Sequence, residues 1–233
     1  MTDISWSLNL LGCWQLSREG RTVRVGIRQQ RLIGALALLG PRPRSAVAGL
    51  LWPDSSEPRA TASLRVAVWH VAHEYPGLLR NGENALALSS AVDVDVDRLQ
   101  RSIGAAPQGV PVRALLEQLR TAELLPGWYE DWILDEQERM RHVRLTALDA
   151  LTRRLLDAAD PAAQEAALIT VSLEPLRTAS NELLIRAQLA AGNYNAAVRA
   201  FDLFRWRTLE AFGTEPSIRF NELARTGSLV LSS

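Results

Sequence analysis

The hydrophobic positions of the chain change period along its length, and that change divides it. Near the start, short runs suited to strands dominate: Ser5–Leu11, Trp14–Leu16 and, after the turn signal Glu19-Gly20, Thr22–Val25. These predict a small antiparallel sheet. Helical spacing then takes over. Leu32, Leu36 and Leu39 share a stripe in Arg28–Leu39, with Ile33 beside it and Pro41 and Pro43 as the stop. Ser45 is placed to cap a short helix, Ala46–Trp52, closed by Pro53. Ser55 or Ser56 can cap the next helix, Pro58–Tyr75, with Pro58 in its first turn.

That helix organises the first part of the chain. Leu64, Val68, Val71 and Tyr75 fall at i, i+4, i+7 and i+11, and Ala60 and Ala67 widen the stripe. The opposite face holds Arg59, Ala62, Ser63, Val66, Trp69, His70 and His73, with Glu74 its single acidic neighbour. A face so poor in charge calls for DNA, a protein partner or another part of the same chain against it. After it, Leu78–Arg80, Asn81-Gly82 and Ala85–Leu88 read as a β-hairpin with an Asn-Gly turn. Three helices followed by a hairpin is the order of a winged helix-turn-helix, with Pro58–Tyr75 in the recognition-helix position and the hairpin as the wing.

Val92, Val94 and Val96 alternate with Asp93, Asp95 and Asp97. A calcium loop is rejected, because its glycine and closing glutamate are missing. A short strand with valines inward is expected instead, its last aspartate capping a helix from Arg98. Residues 104–111 mark a loop, and helices follow: Val112–Glu123, a long helix from about Trp132 to Ala158 after Trp128 and Tyr129, Ala162–Leu173, Ala179–Ala191, Tyr194–Phe212, and a last one from Ser217 to Arg225. Within them, Leu156, Asp160 and Ala167-Leu168 match Leu189, Asn193 and Ala200-Phe201 at an offset of 33 residues, close to a tetratricopeptide (TPR) period. The expected fold class is therefore mainly α: an α+β winged helix at 1–97, an all-α TPR-like domain at 98–226, and a loose tail at 227–233.

Composition sharpens this picture. All 26 basic residues are arginine and balance 26 acids. The balance is uneven: residues 1–90 carry 10 arginines against six acids, and residues 91–233 carry 16 against 20. A basic first part and an acidic second part suit a nucleic-acid-binding domain joined to a protein-binding one. No apolar run reaches the ~18 residues of a membrane span. The start MTDISWSLNLLG lacks a basic stretch leading into an apolar one, so no secretory leader is expected and the chain reads as cytoplasmic. Cys13 stands alone, which excludes an intrachain disulfide.

Motifs for chemistry are missing. There is no phosphate-binding glycine loop, no dinucleotide fingerprint and no nucleophile elbow. His70 and His73 lack the third and fourth ligands that zinc requires. The acidic cluster Glu130, Asp131, Asp135, Glu136 and Glu138 suits the start of the long helix. No enzyme, cofactor or metal site is expected.

Several stretches together carry a family pattern: LLGCWQLSREGRTVRV (10–25), RQQRLIGALAL (28–38), AGLLWPDSSEPRATASLR (48–65), LLPGWYEDWILDEQERMRHVRLTALDAL (124–151), LAAGNYNAAVRAF (189–201) and FGTEPS (212–217). On these the chain resembles the small Streptomyces antibiotic regulatory proteins (SARP family), which join an OmpR-type winged helix to a bacterial transcriptional activator domain. The resemblance implies an activator that binds repeated elements in double-stranded DNA near a promoter and helps recruit RNA polymerase; a homodimer is left open. One departure stands out. After Ser63–Arg65 the family continues with a basic run, whereas this chain has Val68-Trp69-His70-Val71-Ala72-His73. Three expected arginines are replaced, and an exposed histidine is mostly uncharged near neutral pH. The chain therefore binds DNA more weakly, reads a different sequence, or has become a protein-interaction module of the same architecture.

For a helix in the major groove, Ser63, Val66 and His70 are placed to meet base edges, Val66 against a thymine methyl. Arg59 and Arg65 lie nearer phosphates, as do Arg28 before the first helix and Arg80 beside Asn81 at the wing tip. His73 completes the candidate set. Trp128 and Trp132 are expected in packing rather than in a ligand cage.

Overall fold

A computed structural model describes residues 5–82, 85–106 and 111–224. The chain forms two compact units, Met1–Gly104 with Thr121–Arg139, and Ala105–Arg120 with Met140–Ser233.

The first unit is built on a four-stranded sheet. Strands β1 (Trp6–Asn9), β2 (Gln15–Arg18) and β3 (Arg21–Val23) form an antiparallel meander. The β2–β3 turn places Glu19 at φ 51° and Gly20 at φ 77°, the pair of positive angles that a two-residue type I′ hairpin needs. The sheet is mixed, which the local pattern did not anticipate: β6 (Val92–Val94) lies parallel to β1, Trp6 opposite Val92 and Leu8 opposite Val94. A parallel neighbour far along the chain leaves no local signal. Trp6, Leu8, Leu16, Val92 and Val94 are buried.

Against the core pack α1 (Ile27–Leu39), α2 (Arg44–Leu51) and α3 (Glu57–Glu74). Helix α2 starts earlier than expected: Pro43 is its N-cap and Ser45 lies inside it. Ser56 does occupy the N-cap of α3, though without a side-chain hydrogen bond. The wing follows as β4 (Leu79–Asn81) paired with β5 (Leu86–Leu88). Asn81 is the last residue of β4, facing Leu86, and the Gly82 N–H donates to the Ala85 carbonyl (3.0 Å). The connection is thus longer than an Asn-Gly turn, and its residues 83–84 fall outside the described ones. Arg42 pairs with the other edge of β5, exchanging backbone bonds of 3.0 and 2.9 Å with Leu86.

Helix α4 (Asp95–Ala105) begins three residues earlier than the expected start at Arg98. The working carboxylate is Asp95 and not Asp97. Its two oxygens accept the backbone N–H groups of Leu10 (2.9 and 3.0 Å) and Leu11 (2.9 Å). Burial raises its pKa above the ordinary aspartate value; those two N–H groups, that of Val96 and the Arg98 cation oppose the rise.

Residues from the second half of the chain complete this unit. The Leu125 N–H donates to Leu10 O (2.8 Å) and Gly12 N–H to Glu123 O (2.7 Å). The Gln137 amide donates to the carbonyls of Leu124 and Leu125, both at 3.0 Å. Arg31 of α1 meets Glu130 at 2.7 Å, and the buried Trp132 sits over Gly34 of α1, where an added Cβ would come within 3.9 Å of its ring. Trp132 is therefore a core residue, as expected.

The second unit is helical: α5 (Val112–Thr121), the greater part of α6 (Asp131–Asp157), α7 (Ala162–Leu173), α8 (Thr178–Ala190) and α9 (Tyr194–Phe212). Residues 220–224 are helical too, starting later than the Ser217 cap expected. The rest of that expected helix, and the tail 227–233, lie outside the described residues. Arg144, buried, donates to the carbonyls of Leu119 and Arg120 at the end of α5 (3.1 and 3.0 Å). Arg177 meets the buried Asp149 carboxylate at 2.6 Å, fixing the start of α8 on α6.

The 33-residue repeat is physical. Helix α6 ends with Asp160 N–H on Leu155 O and Ala159 N–H on Leu156 O; helix α8 ends with Asn193 N–H on Gln188 O and Gly192 N–H on Leu189 O. These are two copies of one Schellman cap, each offset by 33 residues, with the left-handed residue at Ala159 (φ 50°) and Gly192 (φ 76°). Alanine pays the left-handed Cβ penalty that glycine avoids.

Two outcomes follow for urea unfolding. Asp95→Ala removes a charged acceptor from two N–H groups and lowers stability by about 2–3 kcal/mol. Ala159→Gly relieves the cap and raises stability by about 0.5–1 kcal/mol.

Candidate nucleic-acid interface

Helix α3 is set by what it buries. Ala60, Leu64, Ala67, Val68 and Val71 face the core, and Tyr75 caps the end. The Tyr75 hydroxyl donates to Arg24 O (2.9 Å), and its ring meets Trp6 edge-on at 6.1 Å. Trp6 in turn donates to Pro76 O (3.2 Å). Burial, then the neighbouring Glu74, raises the Tyr75 phenol above its ordinary pKa, so it stays a hydroxyl donor. The helix cannot roll without breaking this joint.

The outward face is therefore defined. Arg59, Ser63, Val66, His70 and His73 fall on one stripe at i, i+4, i+7, i+11 and i+14, and Arg65 flanks it. Arg59, Arg65, Val66 and His73 are exposed, whereas Ser63 and His70 are half-buried. Val66 keeps 54% and Trp69 59% of its surface in solvent. This face is not covered by another part of the described chain.

The two halves of the face differ. The first carries Arg59 and Arg65 around small side chains. The second is a cluster: His73 stacks on Trp69 (5.2 Å between ring centres, 7° between planes), and His70 meets Trp69 edge-on at 5.0 Å. His70 Nδ1 lies 3.1 Å from a Glu74 carboxylate oxygen. A neutral His70 bonded this way carries its proton on Nδ1, which leaves Nε2 as an acceptor. Trp69 thus lies against its own helix's imidazoles.

The remaining predicted residues sit on other elements of the same unit. Arg28 lies in the first turn of α1, and Arg80 is on β4; both are exposed. Asn81 ends β4. Arg42 was missed. It is exposed and its backbone bridges the free edge of β5 at Leu86, a contact 44 residues long that no local pattern reveals.

Among the described residues no group of three or more histidine, cysteine or acidic side chains is placed to hold a metal, and no helix is long and apolar enough to cross a membrane. The second unit has a cavity of about 700 Å³ lined by Leu156, Ala163, Gln164, Leu183, Arg186 and Ala187. Arg186 is already paired with Glu182 at 2.7 Å.

The family model described as bacterial transcriptional activator domain matches residues 94–226. The chain belongs to that family. With a winged helix ahead of the domain, it is a SARP-type transcriptional regulator. Among solved structures, Mycobacterium tuberculosis EmbR, in complex with a low-affinity phosphopeptide, superposes with a TM-score of 0.77 at 16% identity, over 98% of this chain. The likeness at that identity is one of fold, and the chain covers 66% of the EmbR chain. No curated protein sequence matches this regulator.

Exposure and burial give opposite expectations on this helix. Trp69→Ala and Val66→Ala change unfolding stability by less than about 0.5 kcal/mol. Tyr75→Phe, which orphans a part-buried carbonyl, costs about 1 kcal/mol in the same measurement.

Proposed function

We propose that the regulator binds double-stranded DNA with α3 in the major groove and the β4–β5 wing against the adjacent backbone, and that it activates transcription from repeated promoter elements in the cytoplasm. The observation that carries this reading is the uncovered stripe of α3, held outward by a buried stripe on the other side. Ser63, Val66 and His70 meet base edges: Val66 suits a thymine methyl, and an Nε2 acceptor on His70 suits an adenine or cytosine amino group. Arg59, Arg65, Arg28 and Arg80 contact phosphates, with Asn81 and His73 at the margins. The transcriptional activator domain then supplies the surface that recruits RNA polymerase.

A second reading has its own support. The Trp69–His70–His73–Glu74 cluster replaces the basic continuation of the family pattern, and Glu74 repels phosphate. This favours a protein-interaction module that has given DNA up.

Fluorescence anisotropy separates the two, using duplex DNA from the regulator's own upstream region and unrelated duplex, at low and moderate salt. Binding of the upstream duplex that falls steeply with salt is expected. Arg65→Ala weakens binding to both duplexes and lowers the salt slope by about one. His70→Ala narrows the preference between them. Absence of binding to either duplex at low salt overturns the DNA reading.

A further inference from the structure

We propose that two copies of the chain associate through the outward face of α9, packed antiparallel about a two-fold axis. Helix α9 turns Ala197, Phe204 and Thr208 inward. Phe201 and Ala200 pack with Ile185, Ile218, Phe220 and Leu223. The opposite side carries Arg199, Leu203, Trp206 and Glu210 at i, i+4, i+7 and i+11, a single stripe in which every member is exposed. Leu203 keeps 46% and Trp206 58% of its surface in solvent, and Leu209, three residues beyond Trp206, extends the apolar area. Scattered apolar residues on a surface need no explanation, but a continuous row along one helix marks a contact.

The order of charges identifies the occupant. Arg199 begins the stripe and Glu210 ends it, with the apolar pair between them. The step from Arg199 to Leu203 equals the step from Trp206 to Glu210, so one two-fold axis, passing between residues 204 and 205, satisfies both ends. It sets Arg199 against the partner's Glu210, Leu203 against the partner's Trp206, and the reverse. Parallel packing would set Arg199 against itself. Neither Arg199 nor Glu210 has an ion-pair partner among the described residues. Arg205, on the flank, is already held by Glu215 through bonds of 2.7 and 2.6 Å. Both charges needed across the interface are without an ion-pair partner among the described residues. A two-fold interface must be self-complementary, and this stripe is.

The contact is modest. A helix of 19 residues is about 28 Å long, and one such pair stays below the ~1,200–2,000 Å² of a stable interface, so the dimer is reversible. The proposal does not rest on DNA binding, and either can fail without the other.

Sedimentation equilibrium of the full chain tests it, in reducing buffer because Cys13 is exposed and would form adventitious disulfides. The wild type should pass from monomer to dimer between ~1 and ~200 μM. Arg199→Glu and Glu210→Arg each set like charges at both ends and raise the dissociation constant by about tenfold or more. The double variant Arg199→Glu/Glu210→Arg restores it, and Trp206→Ala weakens it. Circular dichroism melts matching the wild type show that the variants fold. A wild type that stays monomeric throughout, an Arg199→Glu variant that dimerises like the wild type, or a double variant as weak as the singles overturns the proposal.

Discussion

Two consecutive backbone N–H groups, those of Leu10 and Leu11, are aimed at one carboxylate, and the first unit is assembled around that joint. Asp95 belongs to the strand-to-helix turn that closes the winged helix, some 85 residues further on. A carboxylate that accepts backbone N–H groups while largely buried is costly to desolvate, and only the donors offset the cost. That balance makes the joint specific. The parallel register of β6 on β1 brings Asp95 to these donors, and a register slip of one residue would turn Val92 and Val94 out of the core. The same short segment accepts Leu125 N–H and donates through Gly12, so β1, α4 and residues 121–139 are all fastened at one place.

This joint explains why the compact unit is discontinuous in sequence. Residues 121–139 contribute main-chain bonds, the Gln137 amide, the Glu130 carboxylate and the Trp132 ring to a body whose other parts end by Gly104. The division of the chain into a winged helix and a helical domain describes the order of elements along the sequence. The packing follows a different line. The back of α1 is covered by the activator-domain segment, and α1 in turn packs on α3.

The sequence made the local elements readable because each obeys a local rule. The apolar stripe of α3, the paired positive angles at Glu19-Gly20 and the helical period of α6 to α9 are fixed by neighbours within a few residues. What was not legible is everything decided by distant partners. The place of β6 beside β1, the role of Asp95 rather than Asp97, and the rung between Arg42 and Leu86 are contacts across tens of residues. The candidate interface divides the same way. That α3 presents Arg59, Ser63, Val66 and His70 on one face follows from spacing. That Trp69 would stack on His73, and that His70 would face Glu74, depends on rotamers the spacing does not specify.

The repeat in the helical unit shows how structure outlasts sequence. At the two matching caps the backbone hydrogen bonds agree rung for rung, although one uses glycine and the other alanine at the left-handed position. Helix pairs that stack by such caps bury one face against the preceding pair and leave the other for the next. On α9, Ala197, Ala200 and Phe201 pack with Ile218, Phe220 and Leu223 of the segment that follows, and the Leu203–Trp206 side is left uncovered by the described residues. In a repeat array that face is either made polar or given a partner. Here Leu203 and Trp206 occupy its centre, with Asp202 exposed beside them and Arg199 and Glu210 at its two ends. The face is thus patterned for a helix of matching charge order, and α9 itself carries that order when reversed.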